Sequence, residues 1–207
     1  MSRGEFDPEL DLVVERVIRA PRAGVWRAWS DPDRFAQWWV PAPAVCRVVH
    51  FDLSPGGALV TELSDDGTAY VSHLDASFLL VEELERLVFT NAIDSNWRPV
   101  TPDPFLMTAE VVLAEHPEGT DYRIVVRHGT PAARARHEEL GFADGWGTVT
   151  KQLATLAESE VARLAADHRP GGPVHRADER AAEVCREQHD QGGVVGPGDH
   201  PQRPGCR

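Results

Sequence analysis

The chain has 207 residues, 42% of them hydrophobic and 26% charged, with a formal net charge of −12. That balance suits one globular domain with some chain to spare, and no apolar run approaches the ~20 residues that cross a bilayer, so no membrane insertion is expected. So negative a surface repels phosphate backbones, which argues against nucleic-acid binding.

Cysteine usage and the N-terminus narrow the setting. Cys46, Cys185 and Cys206 are too few and too scattered for a disulfide framework. Residues Met1–Asp7 lack the apolar core of a secretion signal, so the expected location is the cytoplasm.

In chain order, residues 1–9 read as an N-terminal arm, and the β-branched run Leu10–Arg19 as a first strand. Pro21 stands where a helix takes proline at its first position, and Val25, Trp26 and Trp29 supply that helix's apolar side. Ser30-Asp31-Pro32-Asp33 ends it and caps a second short helix carrying Phe35, Trp38 and Trp39. Strands are expected at Val45–Leu53 and Ala58–Leu63, joined by the turn Ser54-Pro55-Gly56-Gly57, then at Ala69–Val81 and Arg86–Ile93. Asp94–Pro104 is a proline-bearing loop, and strands resume at Phe105–Ala114 and Thr120–His128. After the cap Thr130-Pro131 the period changes. Phe142, Trp146, Val149, Leu153 and Leu156 recur on one face of a long closing helix that runs on to Leu164.

The composition shifts at His168. The last 40 residues hold 12 Gly or Pro and no Leu or aromatic residue, which reads as a disordered tail over 168–207 with at most a short helix at Ala177–Gln188. Cys185, His189, His200 and Cys206 within it match no common zinc spacing, so no metal site is read there. The domain proper is residues 10–167.

Successive strands joined by short turns imply an antiparallel sheet, which twists and curls around an amphipathic helix. The expected class is α+β: a helix-grip fold, with a curved sheet of about seven strands wrapped around a long C-terminal helix and two short helices after the first strand.

Five segments in register strengthen that reading. They are Ala20–Trp29, the Trp38-Trp39 pair, Asp52–Gly57, Glu85–Ala92 and His137–Trp146. Together they resemble the START-like (SRPBCC, birch-allergen-like) helix-grip superfamily. Within it the chain is similar to the branch named after the activator of heat-shock protein 90 ATPase, whose bacterial members are often labelled polyketide cyclase-like. The resemblance runs from about Leu10 to Leu164. It implies a groove between sheet and helix that takes a small hydrophobic molecule, and in a minority of members a reaction there. The branch name also implies a protein partner.

Several residues are candidates for such a site. His128 continues the inward alternation of Tyr122, Ile124 and Val126, so it is either a general base or ligand donor, or a histidine satisfied by loop backbone. His137 is the second catalytic candidate, adjacent to Glu138 on a helix where neighbours point about 100° apart. Gly141 and Gly145 share a helix face, where either the sheet or a ligand approaches closely. Phe89, Met107, Tyr122, Phe142, Trp146, Val149 and Leu153 are expected to line an apolar groove, or simply to pack the core. Asn91 is either a ligand anchor or a tie to the Asp94–Arg98 loop, and Trp97 is a lid, a contact surface or a plug.

No nucleophile elbow, phosphate loop, dinucleotide fingerprint or HExxH appears, so no cofactor and no metal are expected. The leading function is binding of a small hydrophobic or aromatic ligand. A co-chaperone-like interaction module and a cyclase or hydrolase working on a polyketide-like substrate by acid–base chemistry are the alternatives. A closed apolar groove favours binding, converging His128 and His137 favour chemistry, and a solid core with an apolar patch near Trp97 favours a partner.

Overall fold

The computed structural model describes residues 5–101 and 104–167. The tail at 168–207, with its proposed short helix and its Cys and His residues, lies outside the described residues.

Strand β1 (Asp11–Ile18) leads into helices α1 (Arg22–Ser30) and α2 (Pro32–Phe35). Six strands follow: β2 (Val45–Phe51), β3 (Ala58–Ser64), β4 (Val71–Glu82), β5 (Arg86–Thr90), β6 (Met107–His116) and β7 (Gly119–His128). Helices α3 (Pro131–Glu139) and α4 (Phe142–Asp167) close the described chain. The strands form one seven-stranded antiparallel sheet in the order β1-β7-β6-β5-β4-β3-β2. The expected α+β helix-grip architecture is what the chain adopts. Its first strand pairs with its last, Asp11 opposite Arg127 and Ile18 opposite Thr120.

Alternation explains which side is buried. Tyr122, Ile124, Val126 and His128 of β7 all point into the core, as do Leu87 and Phe89 of β5. Helix α4 presents Phe142, Val149, Leu153, Ala154 and Ala157 to that same core, and packs beside α1 and β1. Each large apolar side chain so buried contributes about 1.5–3 kcal/mol relative to exposure. The aromatic centre is dense, with Trp29 and Trp38 centroids 4.7 Å apart and Phe35 and Trp39 4.6 Å apart. Trp38 Nε1 donates to the Ala28 carbonyl at 2.9 Å, so its indole is buried without an orphaned donor.

Local structure follows the sequence with three differences, the first being that α2 ends at Phe35, so Trp38 and Trp39 lie beyond the helix expected to carry them. The Asp31 side chain accepts from Asp33 N and Arg34 N and starts α2, and Thr130 accepts from Ala133 N and starts α3. Pro21, however, is the N-cap of α1 with φ −58° and ψ 150°, so the helix begins one residue later. The closing helix is also two helices. Gly141 has φ +93°, a left-handed conformation that ends α3 and redirects the chain into α4. Gly141 is therefore a hinge between helices and does not share a face with Gly145.

In the Asp52–Gly57 turn the two glycines have different reasons. Gly56 has φ +86°, while a Cβ on Gly57 would lie 2.1 Å from the Asp52 carbonyl oxygen. Among the described residues, no helix is long and apolar enough to cross a membrane.

Candidate functional site: a cavity between the sheet and α4

The sheet and α4 do not close on each other at one end. Between them lies a cavity of about 510 Å³, within the range of small-molecule sites. Leu74, Asn91 and Met107 come from the sheet, and Phe142, Gly145, Trp146 and Val149 from α4. Trp39 and Pro41, Pro104 and Phe105, and the helix junction at His137, Leu140 and Gly141 complete the wall with His73. None of these residues is Asp, Glu, Lys or Arg.

Gln152 holds the Trp39–Pro41 side in place. Its Nε2 donates to the carbonyls of Trp38 (3.0 Å) and Val40 (2.8 Å), and its Oε1 accepts from Ala42 N (2.9 Å). One α4 side chain thereby fixes three successive alternate residues of the α2–β2 connection.

On the sheet side, a β-bulge sets the wall. Thr61 pairs with Leu74 and Glu62 with Ser72, which leaves His73 as the extra residue. A bulge breaks strict alternation, so consecutive residues His73 and Leu74 both reach the cavity. The His73 ring nitrogen Nδ1 lies 3.1 Å from Thr61 Oγ1.

Asn91 faces the cavity, but its amide is already engaged. Oδ1 accepts from Met107 N at 2.7 Å and Nδ2 donates to the Phe105 carbonyl at 3.3 Å. It therefore ties the end of β5 to the start of β6, not to the Asp94–Arg98 loop. That loop is held by Asp94 itself, which accepts from Asn96 N and Arg98 N.

The two histidine candidates meet. His128 Nδ1 lies 2.9 Å from the Leu10 carbonyl, and its Nε2 lies 2.9 Å from His137 Nδ1. His137 Nε2 in turn accepts from Trp146 Nε1 at 3.3 Å. A carbonyl only accepts, so the proton of neutral His128 sits on Nδ1 and its Nε2 is a lone pair. His137 must then carry its own proton on Nδ1, which leaves its Nε2 to accept from Trp146. Every ring nitrogen is used, and the direction of the whole chain is set by its carbonyl end.

The surroundings keep both rings neutral. Burial pushes His137 down to about 4, and the neighbouring His128 adds to that shift. Burial also lowers His128, Arg134 acting in the same direction, while the Leu10 bond and Asp11 oppose it. The Phe105 ring stacks on His137 with centroids 4.1 Å apart, and Phe142 meets it edge-on at 5.1 Å. His137 lines the cavity and His128 lies behind it.

Of the expected groove residues, Asn91, Met107, Phe142, Trp146 and Val149 stand on the cavity wall. Phe89, Tyr122 and Leu153 are fully buried in the core beneath it. Burial pushes the Tyr122 phenol well above its ordinary range, which keeps it protonated at neutral pH. Trp97 is 69% exposed and sits on the Ser54–Gly57 turn, its Nε1 donating to the Gly56 carbonyl at 2.7 Å. It is neither a lid on the cavity nor a buried plug. Cys46 is half-buried against the core, its thiol pushed up to about 11 by burial.

Sequence reasoning missed Trp39, Pro41, His73, Leu74, Pro104, Phe105 and Leu140, and it placed Gly145 without deciding its role. A Cβ on Gly145 would meet nothing within 4 Å, so no close approach of the sheet requires this glycine. Its missing side chain is part of the cavity. Among the described residues, no group of three or more His, Cys, Asp or Glu is placed to hold a metal ion.

Known proteins share this architecture. No curated protein matches the sequence. A crystal structure of a protein from Nitrosomonas europaea is 38% identical, with a TM-score of 0.67 over 76% of this chain and 99% of that one. A Chromobacterium violaceum protein is 29% identical, with a TM-score of 0.57 over 72% of this chain and 98% of that one. The AHSA1-like protein of Aeromonas hydrophila, at 22% identity and a TM-score of 0.51 over 73% of this chain and 94% of that one, shares the fold. The profile of the Activator of Hsp90 ATPase homolog 1-like proteins matches residues 19–158, from the end of β1 to just beyond Ala157 in α4. That span contains the whole cavity wall, and the chain belongs to this family.

Proposed function

We propose that the protein binds an uncharged, largely apolar small molecule in the cavity between the sheet and α4. The observation that carries this is the wall itself: Trp39, Phe105, Phe142 and Trp146 surround about 510 Å³, and among the described residues no carboxylate, ammonium or guanidinium lines it. Apolar and aromatic surfaces of that extent favour an aromatic or polycyclic ligand. The open space at Gly145 supports the same reading, because a helix-interior glycine costs about 1 kcal/mol relative to alanine and here nothing in the fold requires it.

Acid–base chemistry by His128 and His137 is less well supported, although the two rings converge. Their nitrogens are spent on each other, on Leu10 and on Trp146. The chain also ends on a carbonyl, which stabilises an imidazolium far less than a carboxylate would. A protein-interaction role is less well supported, because the exposed Trp97 indole is anchored to its own neighbouring turn.

Native mass spectrometry of freshly purified protein, repeated after organic extraction, tests the proposal. A co-purifying small molecule that is lost on extraction is the expected result. A clean apo mass, together with no mass shift on challenge with sterols and neutral aromatic compounds, sinks it.

A further inference from the structure

The geometry points to a hydroxyl group as the polar feature of the ligand, inserted between His137 Nε2 and Trp146 Nε1. This rests on the proposed reading of the cavity as an apolar ligand site and adds the chemistry that reading lacks.

Because the Leu10 carbonyl fixes His128, and His128 fixes His137, His137 Nε2 presents a lone pair to Trp146 and carries no proton. Trp146 Nε1 is a donor only. Both residues stand on the cavity wall. Their bond is 3.3 Å long, beyond the usual 2.7–3.2 Å of an N–H donor, so opening it forfeits little.

A ligand that parts these two groups leaves one unpaired acceptor and one unpaired donor in a mostly apolar wall. Leaving either group buried without a partner weakens binding, because its lost hydration is not replaced. One functional group repairs both: a neutral hydroxyl donates its proton to His137 Nε2 and accepts from Trp146 Nε1 with its oxygen. An ether or ketone accepts from Trp146 and leaves His137 unpaired. A carboxylate does the same and brings a charge into a wall that has no Lys or Arg among the described residues to receive it. The phenolic or alcoholic hydroxyl is therefore selected over its methylated and its ionised counterparts. The stacked Phe105 and edge-on Phe142 keep the His137 ring from turning away.

Three probes of one ring system test this: 2-naphthol, 2-methoxynaphthalene and 2-naphthoate, titrated into the full chain at neutral pH by calorimetry. The expected order is naphthol tightest, by about tenfold over the methyl ether, the worth of one net hydrogen bond. Naphthoate is expected to be weakest. The variant His137→Phe should bind naphthol and its ether equally. On the unsubstituted protein, 15N NMR of the imidazole should show the His137 Nε2 resonance moving upfield with naphthol, as it accepts the stronger O–H bond, and downfield with the ether, as it loses the bond from Trp146, which keeps the test valid if the variant fails to fold. Equal binding of naphthol and ether to the unsubstituted protein overturns the inference and leaves the apolar-ligand reading intact. A naphthol preference that survives in His137→Phe also overturns it. Failure of all three probes to bind also overturns it, and when joined by a clean apo mass with no shift on challenge with sterols it overturns the apolar-ligand reading as well.

Discussion

His128 Nε2 lies 2.9 Å from His137 Nδ1, and that bond joins the last strand of the sheet to the helix that follows it. Its neutrality makes stability depend on pH. Burial, with His128 adding to it, pushes His137 down to about 4 in the fold from 6.5, so between those values the unfolded chain holds more protons. Stability therefore rises with pH across this window, is complete above about 6.5 and is lost on acidification towards 4. Because the cavity admits solvent, the contribution is on the order of 1–2 kcal/mol, less than the full shift would give. Urea unfolding at pH 7 and pH 5 should show a steeper loss in the unsubstituted protein than in His137→Phe. Equal slopes would remove this histidine as the cause.

Gly145 separates stability from binding. Gly145→Ala should raise stability by up to about 1 kcal/mol, since the new methyl meets nothing and the helix gains propensity. Gly145→Phe should hold its melting temperature yet lose at least about tenfold in affinity for a neutral naphthalene-type probe, its ring occupying the cavity. Retained affinity in the phenylalanine variant would place the ligand elsewhere.

Gln152→Ala should loosen the Trp39 side of the cavity. It deletes three hydrogen bonds to backbone at Trp38, Val40 and Ala42, each worth about 0.5–1.5 kcal/mol net. Hydrogen exchange should rise at the amide of Ala42 before it rises in α4 itself. Uniform protection across both would contradict a local role.

Gly57→Ala should destabilise by about 2–4 kcal/mol, because its Cβ has backbone in its way at Asp52. Gly129→Ala is the matched control, since a Cβ there meets nothing within 4 Å. Thermal melts of the pair should differ by roughly 5–15 °C, and similar melts would mean that the turn relaxes freely.

Most of the fold is legible because strand alternation and turn residues act locally. All seven strands follow from such patterns, and so do the α4 cavity residues Phe142, Trp146 and Val149. What the pattern lacks is depth along a strand. Met107 pairs with His128 at the cavity end of the sheet, whereas Tyr122 pairs with Leu113 farther along, where the core is solid. His73 was hidden for a different reason: a bulged residue leaves the period of its strand. Trp39 and Pro41 come from a connection with no period at all, held by a glutamine whose role is set by tertiary contacts.

The pairing of β1 with β7 has a kinetic consequence. The Leu10 carbonyl and the His128 ring that it anchors are 118 residues apart in sequence, so the sheet cannot close until nearly the whole domain has left the ribosome. Until then β1 is an unsatisfied edge, and loop-closure entropy over the intervening chain must be met before that edge is paired. Closure of the sheet is therefore a late event in the folding of this domain, and β1 is the strand that waits longest for its partner.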